Sequence, residues 1–235
     1  MAGFKTHLTA SSVVGIGYGV AAYTMYNVPL PSCILATGLC SVSGMLPDID
    51  SDSGRPVRES LAFGAAVVAM MFADRLKQLG APSETIVLAG AMTYLLIRFG
   101  LGAFLKRYTV HRGMFHSLPA AVIMGELAFL LASGSQELRI YKAGAVALGY
   151  VIHLLLDELY SIQWSRGRLR LKSSFGTAMK LIGHSWWANG SAYLKLALLT
   201  FLILEEPSWT QQFYEQRVER PAEQTAARIM DQLVR

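Results

Sequence analysis

His153 and Asp157 stand four residues apart in the run Gly149-Tyr150-Val151-Ile152-His153-Leu154-Leu155-Leu156-Asp157. On a helix that spacing puts both side chains on one face, with Cβ atoms about 5–6 Å apart. An imidazole and a carboxylate so placed can share one divalent ion or serve two. A second concentration is His111-Arg112-Gly113-Met114-Phe115-His116-Ser117, which holds two of the chain's five histidines. A spacing of five would point His111 and His116 different ways on a regular helix, so at least one lies in a loop. Asp48 and Asp50 follow Pro47, which stops the preceding apolar run. They are expected in a turn, with both carboxylates free to point inward as hard oxygen donors. His7 opens the first apolar run. Imidazole and carboxylate donors suit zinc, manganese or iron better than copper(I), because thiolate and thioether are missing from the set. These four histidines and three aspartates exceed what one tetrahedral zinc needs, so two ions are expected. His184 reads as an ordinary polar helix-end residue and Asp52, before Ser53-Gly54, as a turn residue.

The elements that must position these groups are apolar. Of 235 residues 53% are hydrophobic and 16% charged, against about a quarter charged in soluble domains. Mean hydropathy is +0.37. Segments of spanning or near-spanning length run over 8–26, 30–46, 60–76, 84–105, 117–132 and 138–159, with a shorter seventh over 192–204. Ser117 before Leu118-Pro119 marks an N-cap and a first-turn proline. The expected fold is all-α: a multi-pass transmembrane helical bundle with six to seven membrane helices (residues 1–206) and a short polar helical tail (207–235). The first run follows Lys5, as a signal peptide would, but its length and glycine content favour a retained helix. Cys33 and Cys40 share one apolar segment and form no Cys-x-x-Cys pair, so they read as small membrane-core residues.

Charge gives the orientation. With a cytoplasmic N-terminus, one side carries Lys5, Arg55, Arg58, Lys106, Arg107, Arg112, Arg166, Arg168, Arg170, Lys172 and Lys180. The other carries Arg75, Lys77, Arg139 and Lys142, and the imbalance follows the positive-inside rule. The net charge of +5 is thus matched to anionic lipid, and no nucleic-acid partner is expected. In that topology His7, Asp48, Asp50, His111, His116, His153 and Asp157 all fall at the cytoplasmic ends of their segments. Lysine and arginine counts and segment lengths fixed the topology, so the convergence is independent of any assumption about a metal.

The motifs resemble those of the YdjM-like family of inner-membrane metal-dependent hydrolases, also described as LexA-binding. That family shows an N-terminal His, a Pro-Asp-Ile-Asp run, a His-Arg-Gly-x-x-His-Ser run and a Gly-Tyr-x-x-His-x-x-x-Asp run. Here these stand as His7, Pro47-Asp48-Ile49-Asp50, residues 111–117 and residues 149–157, and the match spans residues 1 to about 180. Phe115 stands where the family often has Thr, and Ser161 is one step displaced from the usual Thr or Ser after the last Asp. The resemblance implies hydrolase chemistry and a bacterial inner-membrane location. A weaker similarity is to zinc-dependent phospholipase C and the single-strand-specific zinc nucleases. It maps His7, Asp48 or Asp50, His116 and the His153/Asp157 pair, and implies phosphoester cleavage. Their second His-x-x-x-Glu pair has no counterpart here.

The function read from the sequence is a membrane-bound, divalent-metal-dependent hydrolase acting at the cytoplasmic face, with a phospholipid or lipid-linked phosphate as substrate. His7, Asp48, Asp50, His116, His153 and Asp157 would hold the metal. His111 would be a further ligand or the general acid, and Arg112 would bind a substrate anion. The alternative is a non-catalytic, metal-stabilised scaffold that binds a protein partner through its tail. A transporter fits less well, because transport sites lie near the midplane. Two further expectations concern charge. The basic run 164–172 should contact anionic headgroups. Arg98 and Glu126, at matching depths in the fourth and fifth segments, should pair and so pack those helices together.

Overall fold

The computed structural model describes residues 3–50, 55–101, 114–165, 168–171, 176, 179–183 and 185–206. The described helices are α1 Phe4–Tyr26, α2 Leu30–Ser43, α3 Arg55–Gln78, α4 Ser83–Leu95, α5 Leu118–Leu131, α6 Gln136–Leu159 and α7 Trp186–Leu204. A 3-10 turn Leu46–Asp50 follows α2, and a π-helical segment Leu96–Leu101 continues α4. The chain divides into two compact units, Met1–Leu196 and Ala197–Arg235.

Local chemistry sets the helix ends. Ser117 caps α5 by accepting from Ala120 N, with Pro119 in the first turn, as expected from the sequence. Ser135 caps α6 in the same way through Leu138 N. Asn27 ends α1 in the left-handed region at φ 51°, where its short polar side chain is tolerated. The seventh helix starts earlier than expected, at Trp186. Ser185 Oγ accepts from Ala188 N and starts the helix six residues before Ala192. A small antiparallel hairpin, Ile162–Ser165 with Arg168–Leu171, adds strand to an otherwise helical chain. Its register pairs Ile162 with Leu171 and Ser165 with Arg168. The side chains of the basic run 164–172 lie outside the described residues.

Packing is inverted relative to a water-soluble domain. Ala36, Cys40, Ala145, His7, Ser11 and His153 are buried, while Val13, Ile34, Met70, Val87, Leu88 and Phe99 leave more than half their surface uncovered. In water such an exposed apolar face would be a liability; lipid is the solvent that accepts it. The small residues let helix backbones approach closely. A Cβ on Gly15 would lie 2.9 Å from Thr37 O, and one on Gly149 would overlap Cys40 O and Ser43 Oγ. α6 is the hub, packed by α1, α2 and α5.

Among the described residues, Leu30–Asp48, Gln136–Leu159 and Trp186–Leu204 are long and apolar enough to cross a membrane. This is fewer than the six to seven membrane helices expected. α5 has 14 residues, about 21 Å at 1.5 Å per residue, against a hydrocarbon core of about 30 Å.

The expected pairing of Arg98 with Glu126 is not among the ion pairs of the described residues. α4 packs on α3, and α5 on α6. The Arg98 guanidinium lies over the neighbouring Phe99 ring, 5.4 Å from its centroid. Equal depth in two helices does not make them neighbours.

Two of the basic residues assigned to the far side are tied into helix ends. Arg139 Nε and Nη2 donate to Phe129 O at 3.2 and 3.0 Å, and Lys142 Nζ donates to Ser133 O at 2.8 Å. Each cation satisfies carbonyls at the C-terminal end of α5, where the helix dipole favours positive charge. Gln78 holds the same turn to α3 through Gly134 N and O.

Candidate metal centre

His7 sits in the first turns of α1. Ser11 Oγ donates to His7 O at 2.8 Å and to Ser41 O at 3.1 Å, which ties this end of α1 to the end of α2. α2 stops at Ser43, and Gly44 leads into the 3-10 turn that carries Asp48. His116 precedes the Ser117 cap, and Ser117 Oγ also donates to Met114 O, folding the loop onto α5. His153 and Asp157 lie one turn apart near the end of α6. Gly149, one turn earlier, has no side chain and so lets α6 abut α2.

These elements bring His7, Asp48, His116, His153 and Asp157 together. His7 Nε2 is 3.4 Å from Asp157 Oδ1, and His153 Nε2 is 3.8 Å from Asp157 Oδ2. Asp48 Oδ1 lies 3.6 Å from His116 Nε2 and 3.7 Å from His153 Nε2. The His7 and His153 rings stack at 3.8 Å with 15° between planes. His116 meets His153 edge-on at 5.8 Å. The three histidines are at most 1% exposed, whereas the Asp48 side chain is 23% exposed and marks the open side of the cluster.

The donor set fits a divalent cation. Leaving buried polar atoms unsatisfied costs about 1–3 kcal/mol each. Yet among the described residues both nitrogens of His7, His153 Nε2 and Asp157 Oδ1 are buried without a hydrogen bond. His153 Nδ1 lies 2.8 Å from Gly44 O. Donation to that carbonyl fixes the tautomer and leaves the Nε2 lone pair facing the cluster, the usual outer support of a metal-binding imidazole. His7, Asp48 and His153 offer donor atoms within 4.8 Å of one another, and so do His116, His153 and Asp157. The two groups share His153, whose Nε2 can serve one ion. A second ion would need the carboxylates to bridge, and Asp157 already turns one oxygen to His7 and the other to His153.

Not all of the expected site residues can be placed. Asp50 ends the 3-10 turn, but its side chain is outside the described residues, as are His111, Arg112, Asp52 and His184. The carbonyl of Gly44, the hydroxyl of Ser11 and the phenol of Tyr150 received no role from the sequence. Tyr150 donates to Phe115 O, next to His116. Its position three residues before His153 was the available signal. Ser161 Oγ is bonded to Glu158 O within its own turn.

A family model described as YdjM inner membrane protein matches residues 1–209. No curated protein and no solved structure matched the chain.

Proposed function

We propose, starting from the fact that this chain belongs to the YdjM inner membrane protein family, that it is a divalent-metal-dependent hydrolase cleaving a phosphoester at one end of its helical bundle. The observation that carries this reading is the convergence of buried donors from α1, the Leu46–Asp50 turn, the loop before α5, and α6, without hydrogen bonds that would satisfy His7 and His153 Nε2. A divalent ion held there would supply Lewis acidity toward a phosphoryl oxygen and lower the pKa of water toward neutrality. The chain does the rest. Gly44 O holds His153 in one tautomer, Asp157 offers an oxygen to each neighbouring imidazole, and the part-exposed Asp48 faces the side from which substrate arrives.

Zinc is the metal favoured by the donor set, with manganese or iron as alternatives and two ions as the proposed number. Asp50 would add a carboxylate, His111 a ligand or general acid, and Arg112 a guanidinium for the phosphate. In the proposed topology the N-terminus is cytoplasmic and six or seven helices are embedded in a bacterial inner membrane. The shorter ones are held within the bundle. A phospholipid or lipid-linked phosphate is the proposed substrate, because its headgroup lies at the depth of the cluster.

A second reading is a metal-stabilised scaffold that binds a protein partner through residues 207–235. The near-complete burial of His7, His116 and His153 favours it. Elemental analysis of the detergent-purified protein, paired with hydrolysis of a chromogenic phosphodiester, separates the two. The hydrolase reading expects metal in the wild type, at least a tenfold loss in His116→Ala, His153→Ala and Asp157→Ala, no loss in His184→Ala, and turnover that follows metal content. Metal without turnover would favour the scaffold. A wild type free of metal, or equal loss in His184→Ala, would overturn the centre itself.

A further inference from the structure

A cavity of about 580 Å3 lies between α2, α3, α5 and α6, and its lining is apolar almost throughout. Ser43 is the one lining side chain with a hydroxyl, and that hydroxyl is spent on Cys40 O. An interior without free donors or acceptors does not hold water well and suits an apolar guest. The volume falls in the range of about 300–1,000 Å3 typical of sites for one small molecule. Two features say which guest. Ile34, Phe63 and Leu127 belong both to the lining and to the exposed apolar surface, so the cavity opens sideways onto the lipid-facing side. Phe4, Leu46 and Phe115 also line it, and they are close sequence neighbours of His7, Asp48 and His116. The cavity therefore opens on the bilayer side and is lined, at its other end, by residues from the three segments that carry His7, Asp48 and His116.

We propose that this cavity holds one acyl chain of a glycerophospholipid whose phosphate end reaches the cluster of His7, Asp48, His116, His153 and Asp157. The headgroup end of this inference rests on the metal-hydrolase reading; the chain end rests on the cavity alone. Lateral entry suits a substrate that never leaves the membrane, because its hydrocarbon passes from lipid to an apolar lining without meeting water. α2 carries the feature that keeps the space open. Gly38 lines the cavity, and a Cβ built on it meets nothing within 4 Å. A large side chain there would fill the cavity without striking backbone. It would also favour the helix, since an interior glycine weakens it.

The test uses full-length protein in lipid nanodiscs containing phosphatidic acid with a diazirine in one acyl chain. After photolysis, labelled positions are mapped by peptide mass spectrometry, and bound metal is measured on the same samples. The expected result is labelling concentrated at cavity residues such as Leu35, Val42, Met71 and Met124. It should fall at least fivefold in Gly38→Phe with metal content unchanged. Gly17→Phe is the control, because a Cβ at Gly17 also meets nothing but the residue is exposed and lies outside the lining. It should leave the pattern unchanged. Labelling spread over exposed residues such as Val13 and Val87, with none concentrated in the cavity, would overturn the proposal. If Gly38→Phe fails to fold, the wild-type map decides by itself. A wild type that labels in the cavity but holds no metal keeps the acyl site and overturns the metal reading. One that holds metal but does not label overturns the acyl site alone.

Discussion

Tyr150 donates its phenolic hydrogen to the backbone carbonyl of Phe115, and so joins the helix that carries His153 to the loop that carries His116. Tyr150 is fully buried, and its ring meets Phe115 edge-on at 6.2 Å. One side chain thus holds His153 and His116 in register without itself being a member of the cluster. The Ser117 cap and the bond from Leu118 N to Lys180 O also hold the loop.

Tyr150→Phe keeps the ring and removes this bond. It should cost about 1 kcal/mol of stability, the usual net worth of a hydrogen bond. Metal affinity should fall by about tenfold, as when other outer supports of metal ligands are removed. Chelator competition beside thermal unfolding in detergent reads both quantities. Unchanged metal affinity would show that the loop is positioned by other contacts.

Gly149→Ala should be among the more damaging small substitutions in the chain. The added methyl would overlap Cys40 O and Ser43 Oγ, both fixed on α2. Overpacking of this kind costs about 1–3 kcal/mol. Separation of α6 from α2 would also pull His153 Nδ1 away from Gly44 O, so metal content should drop with stability. Gly17→Ala, with open space around the new methyl, should be neutral or slightly stabilising. Equal melting temperatures for the two variants would contradict the close α2–α6 contact.

Arg139→Ala tests the far end of the bundle. The side chain is buried, caps Phe129 O with two nitrogens and covers the Phe129 ring at 4.0 Å. Its removal leaves a buried carbonyl without these donors and should cost about 2–3 kcal/mol. Metal content per folded molecule should be unchanged, because the substitution lies at the opposite end of α6 from His153. A variant that loses metal while remaining folded would show the two ends to be coupled.

The hairpin Ile162–Ser165 and Arg168–Leu171 carries Arg168 and Arg170, and the adjoining run holds Arg166 and Lys172. A peptide spanning 164–172 should partition onto vesicles containing anionic lipid, at about 1 kcal/mol per basic residue near the surface. Binding should weaken as salt is raised. Partitioning that is indifferent to both anionic lipid and salt would leave these charges as a topology signal alone.

The sequence by itself determined that these segments are helical and marked some of their ends, which are written in local chemistry. Ser117 with Pro119 starts α5, and Pro47 follows the end of α2. It also determined which donors share an end of the bundle, since segment length and the lysine and arginine distribution place His7, Asp48, His116, His153 and Asp157 alike. Tertiary structure decided which face of each helix turns inward. In lipid both faces are apolar, so hydropathy does not separate inside from outside as it does in water. Gly15 and Gly149 do, but their meaning is visible only when Thr37 and Cys40 are seen against them. For the same reason equal depth suggested an Arg98–Glu126 pair, whereas the Arg98 guanidinium lies over the Phe99 ring. The carbonyl of Gly44 that orients His153 comes from residues 109 positions away, and nothing in a one-dimensional pattern carries a backbone contact across that distance.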